Sequence, residues 1–157
     1  MVFKNEKQIK EFLIAKCKNA VIQAENKVYA IIKRFLVEFY QDYDPSVYER
    51  TNQLLHSLVK SNVRQTRNGY EAEVYFDLDG LSYAGGNPSG EQVMEAASQG
   101  YHGAIGDMPY KPEKQFLYMH GRTGVSVWND PIKKLDAEAI EILADMLKAE
   151  GIPVKRG

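Results

Sequence analysis

Three histidines, His56, His102 and His120, are the side chains of this sequence that are best suited to chemistry at neutral pH. An imidazole exchanges a proton in this range and can also bind a metal ion. His102 and His120 occur in the segments Tyr-His-Gly and Met-His-Gly, in or beside stretches rich in glycine and proline. The carboxylates that could complete a metal site or an acid–base pair with them are Asp107, Glu113 and Asp130. One hypothesis is therefore a small metal-dependent hydrolase that uses His102 and His120.

The spacings that usually accompany such chemistry are missing from the sequence. It contains no H-E-x-x-H, H-x-x-x-H, H-x-E or C-x-x-C pattern, whereas a metal site needs several ligands held in place by further hydrogen bonds. It has no G-x-S-x-G turn for a serine nucleophile, and the glycine-rich stretch 78–89 lacks the lysine and the spacing of a phosphate-binding loop. We therefore predict that the protein is not an enzyme and has no catalytic residue, metal site or cofactor site.

The size and composition of the chain restrict the classes of protein to which it can belong. Its 157 residues are enough for one domain with a hydrophobic core, and the lone Cys17 cannot form an internal disulfide. A formal net charge of −1 argues against a general nucleic-acid-binding protein. No apolar run approaches the roughly 18 residues that a membrane-spanning helix needs, and the charged N-terminus does not resemble a signal peptide. We predict a single domain over residues 1–157, in a cytoplasm-like compartment and with no membrane contact.

Residues 1–43 are predicted to form one long helix. Between about Asn5 and Tyr40, apolar residues recur at steps of three and four with no intervening Gly or Pro. A helix of about 35 residues is roughly 50 Å long, which exceeds the width expected of a domain of this size. We therefore expect the helix either to break into two or to lie along a neighbouring subunit. The apolar positions include Ile9, Phe12, Leu13, Cys17, Ala20, Val21, Ala24, Val28, Ile31, Ile32, Phe35 and Phe39.

The polar face of this helix is rich in basic residues. The cations are Lys4, Lys7, Lys10, Lys16, Lys18, Lys27, Lys33 and Arg34, against Glu6, Glu11, Glu25 and Glu38. Such a stripe is usually a solvated helix face, but it could also face DNA or an acidic partner. A DNA-binding accessory protein is therefore a further alternative, which substitution of Lys27, Lys33 and Arg34 by Glu would test.

A corner and a hairpin are predicted after the long helix. Pro45 disfavours helix at the residue before it, so residues 44–60 are predicted to form a corner followed by a short helix. Residues 61–77 are predicted to form a β-hairpin, because alternating strands flank the two-residue turn Asn68-Gly69. With that turn, Arg64 lies opposite Glu73.

The second half of the chain is predicted to be loops with short elements and a final helix. Residues 78–115 are predicted to be loops around a short helix that Ser89 and Gln92 begin with a capping box. Residues 116–128 are predicted to be strands. Residues 131–150 are predicted to include the C-terminal helix, with Asp136 as its cap and Gly151 ending it. Its inward-facing residues are expected to be Ile140, Leu143 and Leu147.

These elements together predict an α+β fold. The long N-terminal helix is expected to pack on a small, mostly antiparallel β-sheet, with a C-terminal helix completing the domain. Several Tyr residues lie in or near the predicted loops, where their amphipathic rings suit protein interfaces. Trp128 is either a core anchor or an interface residue. The predicted interface residues are Tyr43, Tyr48, Arg50, Tyr101, His102, Tyr110 and Trp128.

Three segments resemble a family of bacteriophage proteins. The first, from Tyr43 to Ser57, has the form Y-x-P-x-x-Y-x-R-T-x-x-L-x-x-S. The second is Ala97-Ser-Gln-Gly-Tyr-His-Gly103, and the third is Trp128-Asn-Asp-Pro with a final helix that ends in Glu150-Gly-Ile-Pro-Val154. In this order they are similar to the minor tail proteins, also called tail-completion or head–tail joining (neck) proteins, of long-tailed phages and prophages. The resemblance implies Gly after Thr51, where this chain has Asn52.

The resemblance implies a structural virion protein of the phage neck or tail, which joins the head to the tail or completes the tail. It implies assembly into a ring, expected to be a hexamer, that contacts the head connector and other tail proteins and through which DNA passes. The protein would then be located in the virion, and in the host bacterial cytoplasm during assembly. The sequence leaves open whether it is a joining protein or a tail terminator.

Overall fold

The computed structural model of the protein describes residues 3–41, 52–67, 69–81, 89–103, 119–122 and 125–155. It confirms the α+β class, with a long N-terminal helix, small antiparallel two-stranded sheets and a C-terminal helix. The helices are α1 (Glu6–Gln41), α2 (Gln53–Ser57), α3 (Gly90–Ser98) and α4 (Asn129–Ala149). The strands are β1 (Leu58–Lys60), β2 (Arg64–Gln65), β3 (Tyr70–Glu71), β4 (Val74–Phe76), β5 (Tyr101–Gly103) and β6 (Met119–Arg122).

The chain divides into two compact units. Unit 1 comprises Met1–Tyr29, Lys60–Val74 and Leu135–Gly157, and unit 2 comprises Ala30–Val59 and Tyr75–Lys134. Both long helices contribute residues to both units. The organisation of residues 1–157 as a single domain stays a prediction.

Helix α1 runs unbroken for 36 residues, so it is about 54 Å long at about 1.5 Å per residue. Its second half supplies buried side chains to unit 2, among them Ile32, Leu36 and Phe39. Its first turns differ, because every side chain from Lys4 to Glu11 is exposed. Of the two outcomes that its length predicted, the break does not occur.

Asn52 precedes α2 in a left-handed conformation, with φ of 55°. Glycine adopts this region without a steric penalty, and asparagine tolerates it better than most other residues do. Asn52 therefore fits the backbone conformation that a glycine at this position would favour.

The hairpin in unit 1 has a different register from the predicted one. Arg64 pairs with Glu71 and Gln65 with Tyr70, and the N–H of Thr66 donates to the carbonyl of Gly69 over 2.9 Å. The pairing therefore continues to Thr66 and Gly69, and the register differs from the predicted one by two residues. A shift of two residues leaves each side chain on the face that was predicted for it. The guanidinium of Arg64 consequently hydrogen-bonds both Glu71 and Glu73.

Strand β4 pairs with β1 and does not extend the hairpin. In unit 2 the N–H of Asp77 donates to the carbonyl oxygen of Ser57 over 2.8 Å. In unit 1 the N–H of Ser61 donates to the carbonyl oxygen of Glu73, also over 2.8 Å. Strand β5, which was predicted to be a loop, pairs antiparallel with β6. Residues 125 and 126 have no regular secondary structure and residues 127 and 128 form a turn, instead of the predicted strand.

Helix α3 begins with the predicted capping box. The Ser89 hydroxyl accepts from the N–H of Gln92, and the Gln92 side chain accepts from the N–H of Ser89. Gly100, with φ of 80°, follows the helix in the left-handed conformation expected of a glycine that ends one.

Helix α4 starts earlier than predicted, at Asn129, so Asp136 lies inside the helix and does not cap it. Its end is as predicted, since Gly151 has φ of 80° and its N–H donates to Lys148 O, while the Ile152 N–H donates to Leu147 O. The inward face was predicted incorrectly in part. Ile140 and Leu143 are exposed, whereas Ile142 and Ala144 are buried.

Candidate interface surfaces

Three of the seven predicted interface residues lie within the described part of the chain, and four lie outside it. Tyr43, Tyr48, Arg50 and Tyr110 lie outside the described residues. The backbone places Tyr101 and His102 in β5, and Trp128 lies just before α4. The interface role of all seven residues stays a prediction, and the geometry around Trp128 can be built from its contacts.

Two of the segments that carry the phage resemblance meet in unit 2. The N–H of Val127 donates to the carbonyl of Ala97 over 3.3 Å. At the next residue, the carbonyl of Ser98 accepts from the Asn129 side chain at 2.9 Å and from the Ser126 hydroxyl. The C-terminal end of α3 is therefore joined to the start of α4, and we call this set of hydrogen bonds the α3–α4 junction.

Trp128 is held by this junction with part of its indole exposed to solvent. Its side chain is 39% exposed, and its ring meets that of Phe76 edge to face, with 6.2 Å between ring centroids. The neighbouring Val127 and Pro131 are fully buried, which fixes the backbone on both sides of it. A half-exposed tryptophan on a rigid backbone loses little conformational entropy when a partner covers it. This geometry suits an interface anchor.

Ser126 connects both sides of the junction. Its hydroxyl donates to Ser98 O and accepts from the N–H of Asn129 over 2.9 Å, and its own N–H donates to the Asp130 carboxylate over 2.7 Å. We expect Ser126→Ala to lower the free energy of unfolding by about 1–2 kcal/mol, because a helix-terminal N–H loses its acceptor. Urea denaturation followed by Trp128 fluorescence measures this loss.

The matched control for Ser126→Ala is Ser98→Ala. The Ser98 hydroxyl is exposed and donates only to Glu95 O among the hydrogen bonds described for it, while the junction uses the Ser98 backbone carbonyl. We expect the control to change the free energy of unfolding by less than about 0.5 kcal/mol. Equal losses in both variants would contradict the role given to Ser126.

The basic stripe of α1 is partly engaged in contacts within the units. Lys33 donates to Leu55 O over 2.6 Å, and its partial burial lowers the pKa of its ammonium group. Arg34 pairs with Glu38 at 3.3 Å and stacks over the Phe35 ring. Two of the three cations proposed for a DNA contact therefore have protein partners, so their substitution by Glu would also disturb unit 2.

Glu150 links the end of α4 to α1 within unit 1. Its carboxylate accepts from Lys16 Nζ at 2.9 Å and from Gln23 Nε2 at 2.7 Å, and its side chain is only 12% exposed. The hydrogen bond from Lys16 lowers the pKa of Glu150; the charge of Lys16 and hydrogen bonds from Asn19 and Gln23 act in the same direction, and burial opposes them.

This lowered pKa predicts an acid-sensitive contact. A carboxylate whose pKa is lower in the folded state stabilises the fold above its unfolded pKa, about 4.3 for Glu, and loses that contribution as the pH falls through the folded value. We expect Glu150→Gln to reduce stability at neutral pH and to flatten its decline below about pH 4. Urea midpoints from far-UV circular dichroism, taken across this range, measure both effects. The comparison variant is Glu11→Gln, at an exposed position of α1. It should change neither the stability at neutral pH nor the steepness of its decline in acid.

Two exposed apolar pairs in unit 1 were not predicted as surfaces. Ile9 and Leu13 lie on α1, and Ile140 and Leu143 lie on α4. The periodicity marks all four as apolar helix positions, but it gives no sign of where the chain stops covering a helix. We call these two pairs the α1 patch and the α4 patch.

Within the described ranges, no group of three or more His, Cys, Asp or Glu side chains is placed to hold a metal ion. The same part of the chain contains no helix with the length and apolar character needed to cross a bilayer.

Comparison with known proteins gives a family. The model of the YomN family matches residues 4–149, which is nearly the whole chain. No curated protein and no solved structure matches the chain. The matched range contains α1, the hairpin, α3, the α3–α4 junction and α4. The chain therefore belongs to the YomN family, which is associated with bacteriophages and prophages.

Proposed function

We propose that the protein is a non-enzymatic structural component of the phage neck or tail. In this proposal it joins the head to the tail, or completes the tail, as one subunit of an oligomeric ring that contacts the head connector and tail proteins. It is located in the virion, and in the bacterial cytoplasm while particles assemble.

Membership of a phage-associated family over residues 4–149 is the observation that carries the proposal. The surface adds physical support, because a virion subunit must present apolar area to its neighbours. Trp128 is held half-exposed by the α3–α4 junction, and the first turns of α1 leave Ile9 and Leu13 in solvent. Exposed apolar side chains on the first turns of α1 add little to the stability of an isolated chain, whereas a subunit of a ring can bury them against its neighbour.

The proposal is tested by a stop codon early in the gene within an inducible prophage, followed by electron microscopy of the lysate. Packaged heads and finished tails that lie unjoined would identify a joining protein, and tails of uncontrolled length would identify a terminator. The control is the same lysate with the gene supplied from a plasmid, which should restore complete particles. Normal infectious particles from the stop mutant would overturn the proposal.

A second candidate function is the metal-dependent hydrolase, because the backbone places His102 and His120 on the paired strands β5 and β6. This candidate predicts one equivalent of bound zinc or another transition metal in the purified protein and its loss in His102→Ala. Elemental analysis of protein prepared without chelators decides between the two functions. A metal content far below one equivalent ends the second candidate.

A further inference from the structure

The α1 patch continues the line of buried residues on its helix. Ala20 lies seven residues after Leu13, and Ile31 eleven residues after Ala20, which are close to two and three helical turns. Both of these later residues are buried, whereas Ile9 and Leu13 are 42% and 43% exposed. The side of α1 that is buried at Ala20 and Ile31 thus remains apolar toward the N-terminus, where Ile9 and Leu13 are partly exposed to solvent.

The α4 patch is a second uncovered apolar surface in unit 1. Ile140 is 85% exposed and Leu143 is 41% exposed. Residues three apart are neighbours on one face of a helix, so the two side chains form one continuous surface. Exposed alanines, Ala137 and Ala139, lie beside Ile140 and leave room for a close approach by another helix.

The two patches have opposite charge surroundings. From Lys4 to Lys18, α1 and the residues just before it carry five lysines against two glutamates. From Asp136 to Lys148, α4 carries four carboxylates against one lysine. Contact between two α1 patches, or between two α4 patches, would bring like charges together, and contact of an α1 patch with an α4 patch brings opposite charges together.

We propose that the α1 patch of one copy docks on the α4 patch of a second copy. Because the two surfaces differ, an open assembly still has a free α4 patch at one end and a free α1 patch at the other, so the contact repeats from copy to copy. Such a contact closes into a ring when its rotation allows. The ring rests on the proposed function, while the contact itself rests on the two patches alone.

A mixing experiment tests this contact. Leu13→Glu removes the α1 patch and Ile140→Glu removes the α4 patch, and each places a charge where apolar area would be buried. Both positions are exposed in the single chain, so the variants should fold, which far-UV circular dichroism verifies. By sedimentation velocity at about 100 µM, we expect the wild type to form assemblies larger than dimers and each variant alone to associate at least tenfold more weakly.

The decisive sample is the mixture of the two variants. Leu13→Glu keeps an intact α4 patch and Ile140→Glu keeps an intact α1 patch, so one contact can form between them and neither remaining surface can extend it. We expect a one-to-one dimer that weakens as salt is raised from about 50 to 500 mM, because screening reduces the attraction of opposite charges. Tyr75→Glu is the control, since Tyr75 is an exposed aromatic residue in unit 2, and it should assemble as the wild type does.

Each other outcome overturns the inference. A wild type that is monomeric at this concentration, variants that assemble normally, or a mixture that stays monomeric would each show that these patches do not dock. These failures are distinct from failure of the proposed function, which the stop-codon particles decide. If the mixture dimerises and the stop mutant makes normal particles, the contact is retained and the neck role is rejected.

Discussion

Leu36→Ala should lower the free energy of unfolding by about 2–5 kcal/mol. Leu36 is fully buried in the second half of α1, within unit 2, one turn from the buried Ile32 and Phe39. Truncation removes apolar area from the core and leaves a cavity that its neighbours fill only in part. For a chain of this length the loss corresponds to a fall in melting temperature of very roughly 5–15 °C. Trp128 is the single tryptophan and lies in the same unit, so its fluorescence reports the transition.

The control for Leu36→Ala is Leu13→Ala, which makes the same chemical change on the same helix where the side chain is exposed. In dilute protein we expect this variant to lose about 1 kcal/mol, clearly less than Leu36→Ala, because 43% of Leu13 is already in water and its truncation leaves no closed cavity. If both leucines cost the same, α1 would be equally covered along its length. The α1 patch would then not exist as a free surface.

Periodicity and capping residues predicted much of the fold. Helix α1 reaches Gln41, close to the boundary predicted from Pro45. Helix α3 begins at the capping box of Ser89, because both hydrogen bonds of the box join residues three apart. Gly151 ends α4 for an equally local reason, since its left-handed conformation is encoded by the residue itself. Predictions that depend on neighbours within four residues were therefore reliable at these three places, whereas the cap predicted at Asp136 was wrong because α4 already starts at Asn129.

Predictions that depended on distant partners were less successful. The Asn68-Gly69 pair favours a two-residue turn, but the bonds from Arg64 to Glu71 and Glu73 accompany a register shifted by two. Strand β5 was missed because its partner, β6, is separated from it by a stretch whose sequence gives no pairing signal. Tertiary partners decide such pairings, and a single sequence does not reveal them.

The candidate surfaces show the same limit. The resemblance identified Ala97–Gly103 and the Trp128 segment separately, but only the fold shows that Ser126 and Asn129 join them through Ser98 O. Ile140 and Leu143 were expected to face inward because they occupy apolar positions of the helical pattern. The expectation was wrong because such a pattern does not distinguish a covered helix face from an exposed one. Whether a helix face is core or interface depends on which segments cover it, and the sequence of the helix alone does not identify those segments.

Gly90→Ala should destabilise unit 2, although Gly to Ala within a helix usually stabilises by about 0.5–1 kcal/mol. A Cβ on Gly90 would lie 2.3 Å from the carbonyl oxygen of Leu78 and 3.1 Å from its carbonyl carbon. These are backbone atoms, so no rotamer change relieves the overlap. The same oxygen accepts from the N–H of Leu81 over 3.2 Å, and moving it would strain that turn. We expect a net loss of about 1–3 kcal/mol, as for other overpacked sites.

Gly80→Ala provides the matched control because its new Cβ would also meet a close neighbour in unit 2. That neighbour is the Asp77 carboxylate, at 2.9 Å, which accepts from the Gly80 N–H over 3.1 Å and can rotate toward solvent at the cost of this one exposed hydrogen bond. For Gly80→Ala we expect the free energy of unfolding to change by less than about 1 kcal/mol. Both substitutions add one methyl group, and they differ only in the atoms that this group meets. Urea denaturation read by Trp128 fluorescence compares them. A Gly90→Ala protein as stable as the wild type would mean that α3 does not start against Leu78.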